Sequence, residues 1–319
     1  MDTEREVLVR TMTWAADGVL SITLVDPDGG DLAVWEPGAH IDLQLPAPDG
    51  VLSRQYSLCG DPADRSQYLI GVLREPVGRG GSAFVHDVLR PGQLLRVRGP
   101  RNHFRLEPSK RYVFVAGGIG ITPMLPMIAA AQAAGAQWQL VYGGRTAASM
   151  AFTEVLAGYG DRVALRPQEV HGLLDLAGLL QPPQPDTLVY SCGPEPLLAA
   201  VEQQCLTWPS GSLHLERFAA PEQPARDPAD EHSVEVVLQT SGRTVMVPAD
   251  RSVLEALNEA GADILSDCLE GICGTCETRV LEGEVDHRDF VLTEAERTAN
   301  EYMMPCVSRA RSARLVLEL

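Results

Sequence analysis

The order of hydrophobic and polar positions divides the chain into three stretches with different rhythms. In residues 1–105, short segments of loosely alternating character are separated by Gly, Pro and Asp turns. His40–Leu45, which follows Pro37-Gly38, alternates with a period of two. Short strands broken at this spacing by glycine and proline predict a small antiparallel barrel.

The middle stretch contains short continuous apolar runs that are followed by helix-like segments. Arg111–Ala116 breaks into a glycine turn and then into the helical pattern of Met124–Ala134. Gln137–Gly143, Asp186–Ser191 and Leu213–Phe218 are further runs. Runs of this kind are typical of buried parallel strands, so a doubly wound α/β sheet is predicted.

The proline-rich segment Ala219–Glu231 predicts an exposed linker before the third stretch. Val234–Leu238 and Thr244–Val247 then alternate as a hairpin, and Ser252 with Glu255 predicts a helix capping box. The predicted fold is multidomain: an antiparallel β-barrel over 1–105, an α/β doubly wound parallel-sheet domain over 106–222, a linker over 223–231 and a β-grasp (α+β) domain over 232–319.

Four cysteines in the third stretch carry the most specific chemical signal. They follow the spacing C-x4-C-x2-C and then, after 29 intervening residues, C: Cys268, Cys273, Cys276 and Cys306. This is the ligand spacing of plant-type [2Fe–2S] ferredoxins. Gly271 and Gly274 are expected at positive φ, which turns backbone N–H groups towards the sulfurs. A zinc site or two disulfides are the alternatives, although zinc sites usually combine two C-x2-C pairs or include histidine.

A second motif, Arg54-Gln55-Tyr56-Ser57, matches the R-x-Y-S motif of ferredoxin–NADP reductase-like flavoproteins. The arginine fork can bind a flavin phosphate, Tyr56 can pack on the flavin, and the Ser57 hydroxyl can approach N5, where the hydride arrives. The glycine-rich turn before the predicted helix Ala83–Leu89 would add backbone N–H donors to the phosphate site. Its candidate binding residues are Gly80, Gly81 and Ser82. An ordinary Arg-x-Tyr strand pair and a flexible hairpin are the alternatives.

The glycine turn of the middle stretch predicts a pyrophosphate site, because a strand, a glycine turn and a helix N-terminus follow one another there. It reads Gly117-Gly118-Ile119-Gly120-Ile121-Thr122-Pro123, which is the ferredoxin reductase version of this turn. Arg145 ends the next run and could bind a ribose or a phosphate. Cys192-Gly193-Pro194 would set Cys192 beside the nicotinamide ring. A covalent nucleophile is the alternative for Cys192, but hydride transfer needs none.

Composition and charge argue against several classes of partner and location. The 319 residues carry a net charge of −17, which argues against a nucleic-acid partner. No apolar run reaches membrane-span length, and the charged N-terminus does not resemble a secretory signal. Three cysteines beyond the cluster motif favour a reducing, cytoplasmic location. Residues 232–319 contain 16 Asp and Glu against eight Arg; this acidic surface either steers a complementary partner or is merely solvated.

Taken in this order, the motifs resemble the phthalate dioxygenase reductase family along nearly the whole chain. The resemblance implies FMN, a [2Fe–2S] cluster and NADH as cofactors, with NADPH also possible. It implies that Ser57, Cys192 and Phe218 act at the reacting centre, with Phe218 as an aromatic ring over the flavin; a core phenylalanine is its alternative.

The expected function is that of the reductase component of a multicomponent oxygenase, which accepts a hydride and delivers single electrons. The expected partner is a terminal oxygenase, Rieske-type or a demethylase, and the expected state is a monomer without nucleic acid or membrane. A reductase of a cytochrome P450 or of a soluble electron carrier is the alternative. A redox sensor is the rival from another class.

Overall fold

The computed structural model describes residues 4–47, 50–221 and 232–319. The strands are β1 (Glu4–Ala16), β2 (Val19–Val25), β3 (His40–Ala47), β4 (Gly50–Ser57), β5 (Gln67–Leu73), β6 (Leu94–Arg101), β7 (Arg111–Gly117), β8 (Gln137–Gly144), β9 (Val163–Pro167), β10 (Thr187–Cys192), β11 (Leu213–Glu216), β12 (Val234–Leu238), β13 (Arg243–Val247), β14 (Thr278–Glu282), β15 (Val285–Asp286), β16 (Tyr302–Met303), β17 (Arg309–Ala310) and β18 (Arg314–Leu317). The helices are α1 (Gly81–Asp87), α2 (Ile121–Ala133), α3 (Thr153–Ala157), α4 (Gln168–His171), α5 (Leu176–Leu180), α6 (Glu195–Cys205), α7 (Val253–Glu259) and α8 (Glu294–Ala299).

Contacts divide the chain into two units, Met1–Arg217 and Phe218–Leu319. The predicted barrel and nucleotide domains therefore lie together in the first unit as two separate sheets. The predicted linker 223–231 lies outside the described residues. None of the helices that the described residues form is both long and apolar enough to cross a membrane.

The first sheet is antiparallel, with the strand order β4-β3-β6-β1-β2-β5. A bridge between Leu58 and Ile70 connects the two ends of this order, which closes the sheet into the predicted barrel. Ile41 and Leu43 of β3 are fully buried in the barrel core, as their alternation predicted. Asp42 between them is also buried, because it is paired with Arg101 of β6.

The second sheet is parallel, with the order β11-β10-β7-β8-β9. Successive residues of β7 pack on opposite faces: Phe114 belongs to one apolar cluster, whereas Val113 and Val115 belong to another. A strand buried on both faces is what the continuous apolar run predicted. Strand β9 and the short helices α3 to α5 had no clear signal in the sequence.

The two sheets of the first unit are held together at Gly71 of β5. A Cβ atom at this position would lie 2.8 Å from Thr122 Cγ2 and 3.1 Å from the Phe152 ring, both in the nucleotide half. In addition, the Asp17 N–H donates to the Ala148 carbonyl at 2.9 Å. Glycine at position 71 therefore allows the nucleotide half to pack directly on the barrel.

The second unit contains a five-stranded sheet with the order β13-β12-β18-β14-β16 and a small β15-β17 sheet. Helix α7 begins with the predicted capping box, in which Ser252 and Glu255 exchange hydrogen bonds. Helix α8 ends at Asn300 in the left-handed conformation. The three-part fold class predicted from the sequence is confirmed.

Candidate functional site

The structure brings the R-x-Y-S arginine and the glycine-rich turn together. Arg54 on β4 donates from Nη2 to the Arg79 carbonyl at 3.0 Å and from Nη1 to the Ser53 carbonyl at 2.7 Å. A Cβ atom on Gly81 would lie 2.5 Å from Arg54 Cγ and 3.0 Å from Nε. Arg54 and Arg79, which are 25 positions apart in sequence, thus form one surface, where the guanidinium needs a glycine opposite it.

The first turn of α1 completes this surface. The helix begins at Gly81 and not at Ala83 as predicted, because Gly80 adopts a φ of +85° and caps it without a side-chain hydrogen bond. Ser82 Oγ accepts from the Glu75 N–H at 3.0 Å, which fixes the turn. A guanidinium beside a first turn that has no side-chain cap is a donor set that suits a phosphate group.

Tyr56 and Ser57 end the same strand. Tyr56 packs against the barrel core, and burial raises the pKa of its hydroxyl to about 12. Ser57 is buried at the last position of β4, in register with His40 of β3. Strand β4 therefore runs from the surface formed by Arg54 and the glycine-rich turn to the buried Ser57 hydroxyl.

The two glycine turns of the nucleotide half pack against each other. Strand β7 ends at Gly117, the residues Gly118–Gly120 form a 3₁₀ turn, and α2 begins at Ile121. This start is three residues earlier than predicted, because the glycine turn already winds helically. A Cβ atom on Gly120 would lie 2.2 Å from the Cys192 carbonyl oxygen.

The neighbouring residues fit the same close packing. A Cβ atom on Gly193 would lie 3.0 Å from Gly117 Cα. Thr122 donates from its hydroxyl to the Ile119 carbonyl at 2.9 Å, and Thr122 and Pro123 are buried in the first turn of α2. Pro194 caps the N-terminus of α6. The glycines leave only backbone at the carboxyl ends of β7 and β10, where a pyrophosphate can approach closely.

Arg145 follows β8 directly and is exposed. Its carbonyl accepts from the Glu169 N–H at 3.2 Å. The adjacent strand β9 places a second exposed arginine, Arg166, in register with Gly143. Sequence reasoning missed Arg166 because it did not predict β9.

Cys192 lies at the end of β10 beside a carboxyl group that the sequence reasoning did not single out. Glu216 ends β11 in register with Cys192, and its Oε2 lies 3.8 Å from Cys192 Sγ. Burial raises the pKa of Glu216 to about 8, and burial followed by the charge of Glu216 raises the pKa of the Cys192 thiol. The sequence predicted both strands, which end near Cys192 and Glu216. It did not predict that the two strands are neighbours in the sheet.

Ser57 also faces Glu216. Its hydroxyl helps to lower the pKa of that carboxyl, although it makes no hydrogen bond of ordinary geometry. Ser57 comes from the barrel, whereas Cys192 and Glu216 come from the parallel sheet. The first unit therefore joins its two halves at one cluster of polar side chains, which we call the Ser57–Cys192–Glu216 site.

The chain leaves this site through Arg217, which donates to Glu195 Oε2 at 3.1 Å and to Glu202 Oε2 at 2.9 Å on α6. Strand β11 ends at Glu216, so the predicted strand Leu213–Phe218 was two residues too long. Phe218 is 44% exposed and begins the second unit. Its expected place over the flavin stays a prediction.

The four motif cysteines of the second unit lie together as two pairs. Cys268 and Cys273 form one pair, in which their hydrogen bond lowers the pKa of Cys273 to about 5 and raises that of Cys268. Cys276 and Cys306 form the other, in which the hydrogen bond lowers the pKa of Cys276 and raises that of Cys306. The pairs combine the loop between α7 and β14 with the segment after β16.

Backbone amides of the loop point at these sulfurs. The Glu270 N–H donates to Cys268 Sγ at 3.3 Å, and the Thr275 N–H donates to Cys273 Sγ at 3.4 Å. Gly271 and Gly274 have φ of +71° and +70°, which confirms the prediction for both. Leu269 also has a positive φ, +58°, which nothing in its residue type predicted.

This donor set fits a two-iron cluster. Each iron of a [2Fe–2S] cluster takes two thiolates and shares two sulfides with the other iron, so the cluster needs thiols in two pairs. Within residues 4–47, 50–221 and 232–319, no three His, Cys, Asp or Glu side chains converge on a single metal ion. The two separate thiol pairs therefore fit a [2Fe–2S] cluster better than a single zinc ion.

Protein-family comparisons agree with these sites. Residues 236–311 match the model of the 2Fe-2S iron-sulfur cluster binding domain, and residues 114–203 match that of the oxidoreductase NAD-binding domain. One similar solved structure is a phthalate dioxygenase reductase, described as a modular structure for electron transfer from pyridine nucleotides to [2Fe–2S]. Its sequence is 36% identical, and the match covers 99% of this chain and 98% of that chain with a TM-score of 0.70. The chain belongs to the phthalate dioxygenase reductase family. This reductase is thus an electron-transfer oxidoreductase with a nicotinamide-nucleotide domain and a [2Fe–2S] domain.

Curated relatives of this reductase match over nearly its whole length. Phenoxybenzoate dioxygenase subunit beta of Ectopseudomonas oleovorans is 44% identical, with 98% of this chain and 96% of the relative covered. Phthalate dioxygenase reductase of Burkholderia cepacia is 38% identical, with 95% and 94% covered.

A fused protein also contains a similar segment. The solved structure of an intact type IV self-sufficient cytochrome P450 monooxygenase is 49% identical to the reductase. The match covers 99% of the reductase, with a TM-score of 0.94. The reductase spans 41% of that P450 chain.

Proposed function

We propose that this reductase accepts a hydride from NADH at the Ser57–Cys192–Glu216 site and delivers the two electrons singly, through a [2Fe–2S] cluster, to a terminal oxygenase. The observation that carries the proposal is the meeting of these three residues, because it joins the half with the R-x-Y-S motif to the half with the nucleotide turns. The paired thiols of the second unit supply the place for the one-electron carrier.

The residues of the barrel would bind and orient a flavin. Arg54 with Gly80, Gly81 and Ser82 would bind its phosphate, and a donor set for one terminal phosphate suits FMN. Tyr56 would pack against the flavin, and Ser57 would lie near the position to which the hydride is delivered. Bound FMN supplies the conversion between two-electron and one-electron transfer.

The nucleotide half would bind and orient the hydride donor. The turn Gly117–Pro123 would hold the pyrophosphate at the start of α2, while Cys192-Gly193-Pro194 would lie along the nicotinamide. A Glu216 carboxylate would stabilise the positive charge that develops on the nicotinamide ring as the hydride leaves. Arg145 and Arg166 keep NADPH as the second candidate nucleotide, and the ratio of kcat/KM for NADH and NADPH decides between them.

The cysteine pairs support the proposed set of iron ligands. Cys268 and Cys273 would bind one iron, and Cys276 and Cys306 would bind the other. The amides of Glu270 and Thr275 would stabilise the extra negative charge of the reduced cluster.

The proposed partner is a Rieske-type oxygenase or a demethylase, in line with the dioxygenase names of the curated relatives. A cytochrome P450 is the second candidate, because the segment of the self-sufficient P450 has 49% identity with this chain. The two are separated by anaerobic reduction assays with a purified Rieske oxygenase and with ferric P450 under carbon monoxide. The proposed state is a cytoplasmic monomer.

Rapid mixing of the anaerobic full-length protein with NADH tests the proposal. Flavin absorbance should bleach first and cluster absorbance second, both within the turnover time of a reconstituted oxygenase. Reduction of the flavin without any electron reaching the cluster would refute the proposed route.

A further inference from the structure

One buried carboxylate of the second unit lies between the two segments that contain the cysteines. Asp289 is 2% exposed and belongs to neither segment. Its Oδ2 accepts from the N–H groups of Val291 at 3.2 Å and Leu292 at 2.9 Å, and its Oδ1 accepts from the Ser308 hydroxyl at 3.3 Å. A buried acceptor with three donors is an ordered part of the structure and not a solvated surface acid.

The backbone at Asp289 supports the loop that holds the first three cysteines. A Cβ atom on Gly271 would lie 3.0 Å from Asp289 Cα. The next residue, Phe290, donates from its N–H to the Gly271 carbonyl at 2.8 Å. Residues 289 and 290 thus lie directly against the middle of the cysteine loop.

The side chain of Asp289 reaches the segment of the fourth cysteine. Ser308, which is fully buried, comes two residues after Cys306. Asp289 accepts hydrogen bonds from the N–H groups of Val291 and Leu292. Both residues pack in the same apolar cluster as Cys276 and Cys306. The carboxylate therefore fixes both the segment of Cys306 and the apolar residues that enclose the second thiol pair.

Among the residues that the structure describes, the Asp289 carboxylate has one arginine as an ion-pair partner. Arg297 Nη2 lies 3.8 Å from Asp289 Oδ2 and also donates to the Asp289 carbonyl. His287 Nδ1 lies 3.7 Å from Oδ1, but burial lowers the pKa of His287, so this ring is mainly neutral at pH 7. Arg297 is 38% exposed, whereas the Asp289 side chain is fully buried. Solvent consequently screens the anion less than the cation.

We propose that Asp289 is a positioning residue for the cluster: it holds the Cys306 segment against the cysteine loop, and its buried charge lowers the reduction potential of the cluster. The inference rests on the cluster of the proposed function. Reduction adds one negative charge to a [2Fe–2S] cluster, and nearby charge is one of the factors that set its potential. A buried anion opposes that addition, and Arg297 partly offsets it.

Two substitutions in the full-length, cluster-loaded protein test the charge. Asp289→Asn removes the charge, while its amide oxygen can still accept from the Val291 and Leu292 N–H groups and its NH2 group can donate to Ser308 Oγ. The midpoint potential should therefore shift to a less negative value with iron content near two per chain. Arg297→Gln removes the cation, so the potential should shift to a more negative value. The measurement is a potentiometric titration followed by the EPR signal of the reduced cluster.

Asp263→Asn is the matched control, because Asp263 is an exposed acid five residues before Cys268. Asp263 has a φ of +51°, which asparagine readily adopts. The cluster of this variant should therefore have the midpoint potential of the wild type. Potentials that move in the same direction in Asp289→Asn and Arg297→Gln, or that do not move in either, would overturn the electrostatic role. Since Arg297 is partly exposed, its variant remains informative even if Asp289→Asn does not fold.

The positioning role has its own readout. Asp289→Ala removes all three accepted hydrogen bonds, so iron and acid-labile sulfide should fall well below those of Asp289→Asn after the same purification. Equal cluster content in the alanine and asparagine variants would contradict this role. A wild-type protein without a [2Fe–2S] signal would instead refute the proposed function itself.

Discussion

Cys192 Sγ lies 3.8 Å from Glu216 Oε2 at the ends of adjacent parallel strands, where Cys192 is fully buried and Glu216 is partly buried. A carboxyl group in this position has a pKa of about 8, so its charge changes within the pH range in which the reductase can be assayed. The first two predictions follow from this pair.

Flavin reduction by NADH should become faster as the pH rises through about 8, because ionised Glu216 stabilises the positive charge that develops on the nicotinamide. Glu216→Gln should abolish this rise. Stopped-flow flavin reduction between pH 6 and 9.5 measures it, with the exposed Glu154→Gln as the control that keeps the wild-type profile. An unchanged rise in Glu216→Gln would assign the ionisation to another group.

Glu216 should also make stability pH-dependent. Its pKa is raised from 4.5 to about 8 in the folded state, so the folded protein binds one more proton than the unfolded chain between these values. Stability therefore falls as the pH rises from about 4.5 to about 8 and is constant above that, with a total on the order of a few kcal/mol. Urea unfolding of Glu216→Gln should lack this fall, so its stability relative to wild type should grow up to pH 8. A gap that does not change with pH would contradict the assignment.

Gly81→Ala should reduce flavin content at least several-fold. Its Cβ atom would lie 2.5 Å from Arg54 Cγ, so the guanidinium must leave the position at which it would face the flavin phosphate. Gly158→Ala is the control, because its Cβ atom meets only the Val155 carbonyl, at 3.9 Å. The flavin released by heat is identified by chromatography. Retention of a full complement in Gly81→Ala, or recovery of FAD, would disprove the proposed phosphate site or the assignment of FMN.

Cys306→Ser should lose most of the cluster, because the second iron would keep only Cys276 as its cysteine ligand. Iron and acid-labile sulfide should each approach two per chain in the wild type and fall well below that value in the variant. Cys205→Ser, in the nucleotide half, should keep the wild-type content. Tightly bound zinc in freshly isolated, anaerobically handled protein would exclude the cluster.

Transfer to the oxygenase should slow as salt increases, whereas NADH–ferricyanide activity should stay nearly constant. Residues 232–319 carry 16 acidic residues against eight arginines, and attraction between exposed charges is screened beyond ~8 Å at physiological ionic strength. Both rates are followed as potassium chloride increases. A salt-independent rate to the oxygenase would show that the acidic surface only solvates the domain.

The sequence by itself determined the parts of this protein whose chemistry is local. The spacing of four cysteines predicted the two-iron donor set because three of them share one loop, and Gly271 and Gly274 predicted its positive φ angles because glycine adopts them without strain. Alternation at His40–Leu45 predicted an antiparallel sheet, because apolar side chains line only one face of this strand. The continuous run Arg111–Ala116 predicted a parallel sheet, because apolar side chains line both faces.

Only the tertiary structure decided which distant residues meet. Glu216 is an ordinary acid at the end of a strand until β11 pairs with β10 and places it against Cys192. Arg166 could not be assigned because β9 has no strong apolar run, and Asp289 lies in a loop whose partners are distant in sequence. These contacts depend on strand order and on the path of loops, which sequence periodicity does not encode; the pattern of each segment records which face is buried, but not what it is buried against.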